Sequence, residues 1–387
     1  MRIVVTGLVA TYPLGGVAWD YLAYADGFRR LGHDVFYLED TGAWFYDPRE
    51  ETFTQHAEAN LQFLADGMEL IGVPRGRWAV RSPDGVYHGT EKSDVTAFCR
   101  AADLFLNISG ACWLREEYRN PRCHAYLDSD PGYTQAKLRA VDHGSSDAER
   151  WSASLIRAHD RFFTFAENMN ALDCRIPECG LRWIPTRQPL VLEWWPFTFT
   201  PAARTFTTVM SWKTDVMLPL IDGVQYGGKD VEFRRFVGLP SQTTVKLEVA
   251  MAGSAPREEL AAQGWGIVDA REHSSTMGAY RRYLQASRGE WSVAKNAYVE
   301  LRSGWFSTRS AAYLALGKPA VVQDTAWSRY YPSGEGLFPF TTSEECVIAL
   351  NALEADYRSH CEAARAIAER VFRAEDVLDR LLRDADL

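Results

Sequence analysis

Tyr126-Leu-Asp-Ser-Asp-Pro-Gly-Tyr-Thr-Gln135 sets two carboxylates directly behind a short apolar stretch. Ligands of parallel α/β sheets gather beyond the carboxyl ends of the strands, so Asp128 and Asp130 are expected to border a cleft. A carboxylate within hydrogen-bond reach of a hydroxyl can take its proton. Asp128 is the first candidate for such a base, and Asp20, on the opening helix, is the second. Asp130 is expected to meet the same acceptor, although the turn at Pro131-Gly132 gives it a purely local use as well. Asp128-Ser-Asp130 also mimics a metal-binding triplet, a use that the chain's later phosphate-type segment opposes. A third set is cationic: Lys213 behind the run Thr207–Trp212, Lys229 in Gly227-Gly-Lys-Asp230, then Arg288, Lys295 and Arg309. Together they suit a group carrying two negative charges. Glu290 and Asp324 are placed to accept from hydroxyls of a bound ligand.

The richest stretch runs from Ser287 to Phe340. Ser303-Gly-Trp-Phe-Ser307 leads into the helix formers Thr308–Leu316, Gly317 supplies a C-cap, Pro319 blocks continuation, and Ala320–Val322 reads as a buried strand. A glycine- and hydroxyl-rich helix start offers free N–H groups and a favourable dipole to an anion, and Arg309 adds a bidentate donor there. Ser303, Gly304, Trp305, Phe306, Ser307 and Arg309 are therefore expected to line a phosphate site.

This segment resembles the donor-sugar domain of GT-B glycosyltransferases. It is most similar to a bacterial group related to spore-coat-type, CgeB-like glycosyltransferases, through Ser287–Lys295, Ser303–Arg309, Gly317-Lys-Pro319, Gln323-Asp-Thr325 and Gly334-Glu-Gly336. The resemblance implies two Rossmann-like domains facing a cleft, an N-terminal acceptor domain over 1–196, a nucleotide-sugar domain over 205–365, and a helix over 366–387 returning to the first. It also implies a nucleotide-diphosphate sugar as co-substrate, with no further cofactor and no metal, and an acceptor whose identity is open. Many retaining members carry two glutamates around a Phe-Gly pair; Gly304 and Ala312 stand in those places, so neither retention nor ribose binding by a glutamate is implied. A nucleotide-sugar epimerase of the same fold and a non-catalytic nucleotide-sugar-binding protein remain as alternatives.

The composition fits that frame. A chain of 387 residues with 47% hydrophobic content is long enough for two cores. A net charge of −9 opposes a nucleic-acid or basic membrane face. No long apolar run or leader pattern opens the chain. Seven cysteines without a C-x-x-C pair point to reduced thiols in the cytoplasm.

The elements that must position these residues follow from periodicity. Ile3–Val5 reads as the first strand, and apolar spacings of three and four predict a helix over 17–31. Gly7–Gly16 resembles a dinucleotide loop, and Tyr133 and Lys137 have a dehydrogenase-like spacing, but Ala10 breaks the glycine pattern. Gly15 and Gly16 are instead expected to let an acceptor approach closely. A helix over 53–71, and strands at Asp34–Leu38, Leu104–Asn107, His124–Leu127, Arg161–Phe165 and around Leu190–Leu192, complete the first half. Trp194–Pro201 reads as the crossing. Strands at Thr207–Trp212, Thr244–Val249 and Gly266–Val268 and a helix over 277–286 open the second half, and the tail from Glu344 is helical.

Overall fold

The computed structural model describes residues 1–141, 146–213 and 219–387. Two sheets organise the chain. The first runs in the order Trp183–Pro185, Arg161–Thr164, Cys123–Asp128, Leu104–Ile108, Arg2–Thr6, Asp34–Glu39, Trp78–Arg81, Tyr87–His88, parallel except for the last pair. The second runs Gly266–Asp269, Lys246–Ala252, Thr205–Ser211, Gly289–Ser292, Ala320–Gln323, Leu337–Phe340 and is parallel throughout. Apolar alternation covers both faces of each sheet. Ile3 and Val5 join one core and Val4 another, while Ala320 and Val322 face away from Val321. That double burial is what a parallel sheet requires.

In each sheet the chain starts in the middle and leaves in both directions, which opens a crevice where the order reverses. In the first sheet the crevice lies between Arg2–Thr6 and Leu104–Ile108; in the second it lies between Thr205–Ser211 and Gly289–Ser292. The helix Gly15–Arg30 follows the first of these strands and packs against the helix Met277–Ala286 of the second domain. Its Trp19 indole donates to the Met277 carbonyl at 2.9 Å and rests on Trp194 and Trp195 at 5.1 and 5.2 Å. The tryptophans of the crossing thus weld the two domains together.

Three differences from the sequence reading have physical causes. The stretch around Leu190–Leu192 is no strand: Leu190 makes one bridge to Arg373, and the sheet's edge strand is Trp183–Pro185. Residues 52–54 belong to a hairpin with Phe45–Asp47, and the helix starts only at Glu58. The C-terminal break falls at Phe372-Arg373 rather than at 366. The helix Tyr357–Val371 buries Ala364, Ile367 and Val371 in the second domain, whereas Ala374–Asp384 buries Leu378, Leu381 and Leu382 in the first.

Candidate active site in the interdomain cleft

Strand ends from both crevices converge on a cluster of six ionisable groups. From the first domain come Asp20 and Asp130. From the second come Lys229, Glu290, Lys295 and Arg309. Lys295 lies just beyond the strand Gly289–Ser292, and its ammonium sits 2.5 Å from an oxygen of Asp130. The Tyr298 hydroxyl donates to the same oxygen. Asp130 is 48% exposed; burial would raise its pKa, but the Lys295 charge and the two hydrogen bonds hold it below the usual carboxylate range. The Lys295 ammonium also lies over the rings of Tyr133, at 4.4 Å, and Tyr298, at 5.2 Å.

Asp20 stands opposite the start of the helix Thr308–Ala315, where the Thr308 hydroxyl donates to it at 3.3 Å. Burial pushes its pKa up to about 7, opposed by that hydrogen bond and helped by the charge of Asp130. Arg309 donates through Nε to Glu290 at 2.7 Å and through Nη1 to the Val209 carbonyl at 2.8 Å. Glu290 is fully buried, and its Oε2 has no hydrogen-bond partner among the described residues. Lys229 opens the helix Lys229–Arg234; burial and repulsion from Arg309 and Lys295 depress its pKa well below that of an ordinary lysine.

A buried network fixes these cations relative to one another. Glu232, one turn after Lys229, accepts from the amides of Asn296 and Gln323, while Gln323 accepts from the Ala294 backbone. The segments carrying Lys229 and Lys295 are therefore held by shared side chains. Neither Glu232 nor Tyr298 stands out in the sequence, where no element is read over the short helices Lys229–Arg234 and Asn296–Glu300 that carry them.

Several expected site residues lie elsewhere. Asp128 does not project into the cleft. It is fully buried at the end of its strand and accepts from Thr134 Oγ1 at 2.7 Å, Gln135 Nε2 at 3.0 Å, Thr164 Oγ1 at 3.0 Å and the Asp130 N–H at 3.2 Å. It thereby anchors the start of the helix Tyr133–Ala140, whose N-cap, Gly132, has no side chain to do so. Burial pushes its pKa up to about 6 against those hydrogen bonds. Arg288 sits at the opposite end of its strand, paired with Glu354 at 2.8 and 3.0 Å and stacked on Tyr357. Asp324 spends its oxygens on the Ala326 and Ser328 N–H groups and the Ser328 hydroxyl.

The loop 303–306 is an interdomain wedge. Ser303 is buried and its hydroxyl donates to the Tyr298 carbonyl at 3.1 Å, while Phe306 lies in the core. Gly304 has φ +77°, and a Cβ there would come within 2.5 Å of the Asn168 backbone nitrogen. Only Trp305 of this group reaches the cleft, its indole donating to the Ser129 carbonyl at 3.1 Å. Ser307 caps its own helix through the Arg309 N–H. Gly15 and Gly16 leave room not for an acceptor but for the second domain: a Cβ on Gly15 would sit 2.4 Å from the Thr276 carbonyl oxygen, and one on Gly16 3.2 Å from the Tyr280 ring. Lys213, 64% exposed, lies 4.0 Å from Asp230.

Asp128→Asn is accordingly expected to act on stability. The Gln135 carbonyl is already occupied by the Gly132 N–H, so an asparagine amide facing Gln135 Nε2 leaves buried donors opposed, at a cost of about 1–3 kcal/mol. Urea unfolding should show that loss; unchanged stability would return Asp128 to the list of reactive groups.

Among the described residues no helix is long and apolar enough to cross a membrane, and no three histidine, cysteine, aspartate or glutamate side chains are grouped to hold a metal ion. No protein-family model matches the chain, and no curated protein matches it in sequence. Solved structures do match in fold. HepE of Anabaena in complex with UDP-glucose superposes with a TM-score of 0.57 at 12% identity, covering 100% of this chain and 99% of that one. An α-glucosyltransferase in complex with UDP-glucose and DNA containing an abasic site gives 0.56 at 11%, covering 100% of both. Sucrose-phosphate synthase from Thermosynechococcus elongatus gives 0.52 at 11%, covering 99% and 98%. With two parallel sheets and matches to GT-B glycosyltransferases that span the full length of the chain, the chain has the GT-B fold.

Proposed function

We propose that this chain is a glycosyltransferase, a hexosyltransferase in particular, that moves a sugar from a nucleotide-diphosphate donor to an acceptor, with side chains rather than a metal neutralising the departing diphosphate. The observation that carries the reading is the meeting of the two crevices: Lys295, with Lys229 and Arg309 beside it, faces Asp130 and Asp20 across the cleft. Cations gathered at a strand end and a helix start suit a leaving diphosphate. The UDP-glucose complexes of structural neighbours support the same donor class.

In this reading the acceptor oxygen bonds the anomeric carbon, the bond from that carbon to the diphosphate oxygen breaks, and Asp20 takes the acceptor's proton. Lys295 and Lys229 stabilise the charge that develops on the diphosphate, and Arg309 stabilises it through its remaining N–H groups. Lys213 completes the donor side from the rim. Glu290, fully buried, acts on the donor through Arg309, whose guanidinium it holds in place. The sequence likeness supports the CgeB-like grouping, and seven free thiols support a cytoplasmic setting.

Calorimetry and thermal unfolding with UDP, GDP and dTDP and their sugars test the donor class. At a ligand concentration 100 times Kd, a cognate donor stabilises the fold by about 2.7 kcal/mol. If no nucleotide diphosphate shifts the transition or releases heat, the reading fails.

A further inference from the structure

One cation of the cleft stands without a partner. Lys295 holds Asp130 at 2.5 Å, and Arg309 holds the fully buried Glu290 at 2.7 Å. Lys229 feels the charges of all four, yet among the described residues no carboxylate lies within ion-pair reach of its amine. The other acids nearby are engaged elsewhere. Glu232, one turn on and fully buried, accepts from Asn296 Nδ2 at 2.7 Å, Gln323 Nε2 at 2.5 Å and Arg235 Nη1 at 2.8 Å. Asp230 lies 4.0 Å from Lys213, and Asp20 accepts from Thr308.

The backbone under Lys229 is fixed. The Gly227 N–H donates to Asn296 Oδ1 at 2.8 Å, and the Asn296 and Ala297 N–H groups donate to the carbonyls of Gly228 and Gly227 at 3.1 and 3.2 Å. Lys229 is thereby stitched to the segment that follows Lys295. It stands beside two cations whose carboxylates are already paired, and desolvation makes a third positive charge there costly. An amine has an escape that a guanidinium lacks, since it can give up its proton. Burial, then Arg309 and Lys295, act in that direction, and Glu290 and Asp130 oppose them less.

We propose that Lys229 is an uncharged amine in the unliganded cleft and that a nucleoside diphosphate restores its charge on entering, so that donor binding takes up a proton from solvent. This rests on the glycosyltransferase reading above, which sets the diphosphate among these cations. The only bond formed is N–H: the amine nitrogen gains the proton, and the resulting ammonium faces the ligand's negative charge. The unliganded cleft thus avoids three mutually repelling cations, and the full attraction appears only with the ligand that compensates it. Linkage fixes the sign. Because the bound state holds the proton more tightly, UDP affinity should fall as pH rises between the two titrations of Lys229, by up to about tenfold per pH unit.

Calorimetric titration of UDP into the full chain, in buffers of high and low ionisation enthalpy, counts the protons. At about pH 8.5 Asp20, at about 7, and a phosphate's second proton, at about 6, have titrated, while an ordinary lysine, at about 10.4, has not. Wild type and Asp20→Asn should each take up about one proton per UDP. Lys229→Arg, permanently charged, should bind UDP without uptake, and Lys229→Gln should bind it more weakly, also without uptake. UDP binding without uptake in the wild type, or uptake that survives Lys229→Gln, overturns the coupling and leaves the donor reading in place. An NMR titration of the lysine side chains in the unliganded chain, with Lys229 assigned by its loss in Lys229→Arg, reads its charge without any ligand. Lys229 should titrate at lower pH than the exposed Lys213. If the two titrate together, the uncharged amine is overturned whether or not UDP binds. Absence of UDP binding overturns the donor reading and the coupling with it, and the NMR titration still decides the state of Lys229.

Discussion

Asp20→Asn should cut sugar transfer by about 10²- to 10⁴-fold, the span lost with a general base, while leaving nucleotide affinity nearly constant. An amide oxygen can still accept from Thr308, so the helix start it faces stays in place. The pH profile gives a second readout. Burial holds Asp20 up to about 7. Below that value the carboxyl is protonated and cannot take the acceptor's proton, so the wild-type rate should fall about tenfold per pH unit on the acid side and level off above it. In Asp20→Asn the limb at about 7 should vanish, leaving a slow, flat rate. Full turnover in the variant, or a limb that survives the substitution, would remove Asp20 from the chemistry.

The sequence reveals the fold far more than the roles. Strands such as Ile3–Val5 and Ala320–Val322 are legible because parallel sheets buried on both faces demand continuous apolar runs, and the helix after Arg2–Thr6 is legible through its apolar spacing. Trp78–Arg81 is not, since its four residues mix buried and half-buried positions and sit among polar turns. Of the ionisable cluster, Lys295 and Asp20 could be named from the sequence, Lys295 through the resemblance and Asp20 through the helix that follows the Gly15-Gly16 loop. Asp128 illustrates what one dimension hides: a strand-end carboxylate can point to solvent or to the interior, and Thr134, Gln135 and Thr164 turn this one inward. Arg288 misleads for a similar reason, since it precedes its strand and so stands at the edge away from the cleft. The loop at Gly304 has the composition of a phosphate loop, yet its missing Cβ serves Asn168. The hairpin Phe45–Asp47/Thr52–Thr54 is hidden because periodicity reads its last residues as the start of a helix.

Lys295→Ala and Asp130→Asn should shift nucleotide affinity in opposite directions, although the two side chains form one ion pair. Lys295 supplies a positioned cation over Tyr133 and Tyr298. Losing a preorganised donor of this kind typically costs about 2.7–4 kcal/mol, or 10²- to 10³-fold in rate; UDP should also bind more weakly, by a smaller factor than the rate falls. Asp130 works the other way in the unliganded cleft. Its carboxylate holds the Lys295 ammonium at 2.5 Å and adds a negative charge where the proposed donor's diphosphate would settle. The amide introduced by Asp130→Asn would still accept from Tyr298 but would neither hold the lysine by charge nor repel the ligand. Since Asp130 is 48% exposed, the pair is worth no more than about 1 kcal/mol, so the expected gain in UDP affinity is about fivefold. That gain should shrink as salt screens the wild-type charge. Calorimetric titration of UDP into both variants at low and high salt checks the signs directly. Weaker UDP binding in Asp130→Asn would mean that Asp130 supports the donor site instead of competing with it, and the placement of the diphosphate at Lys295 would fall.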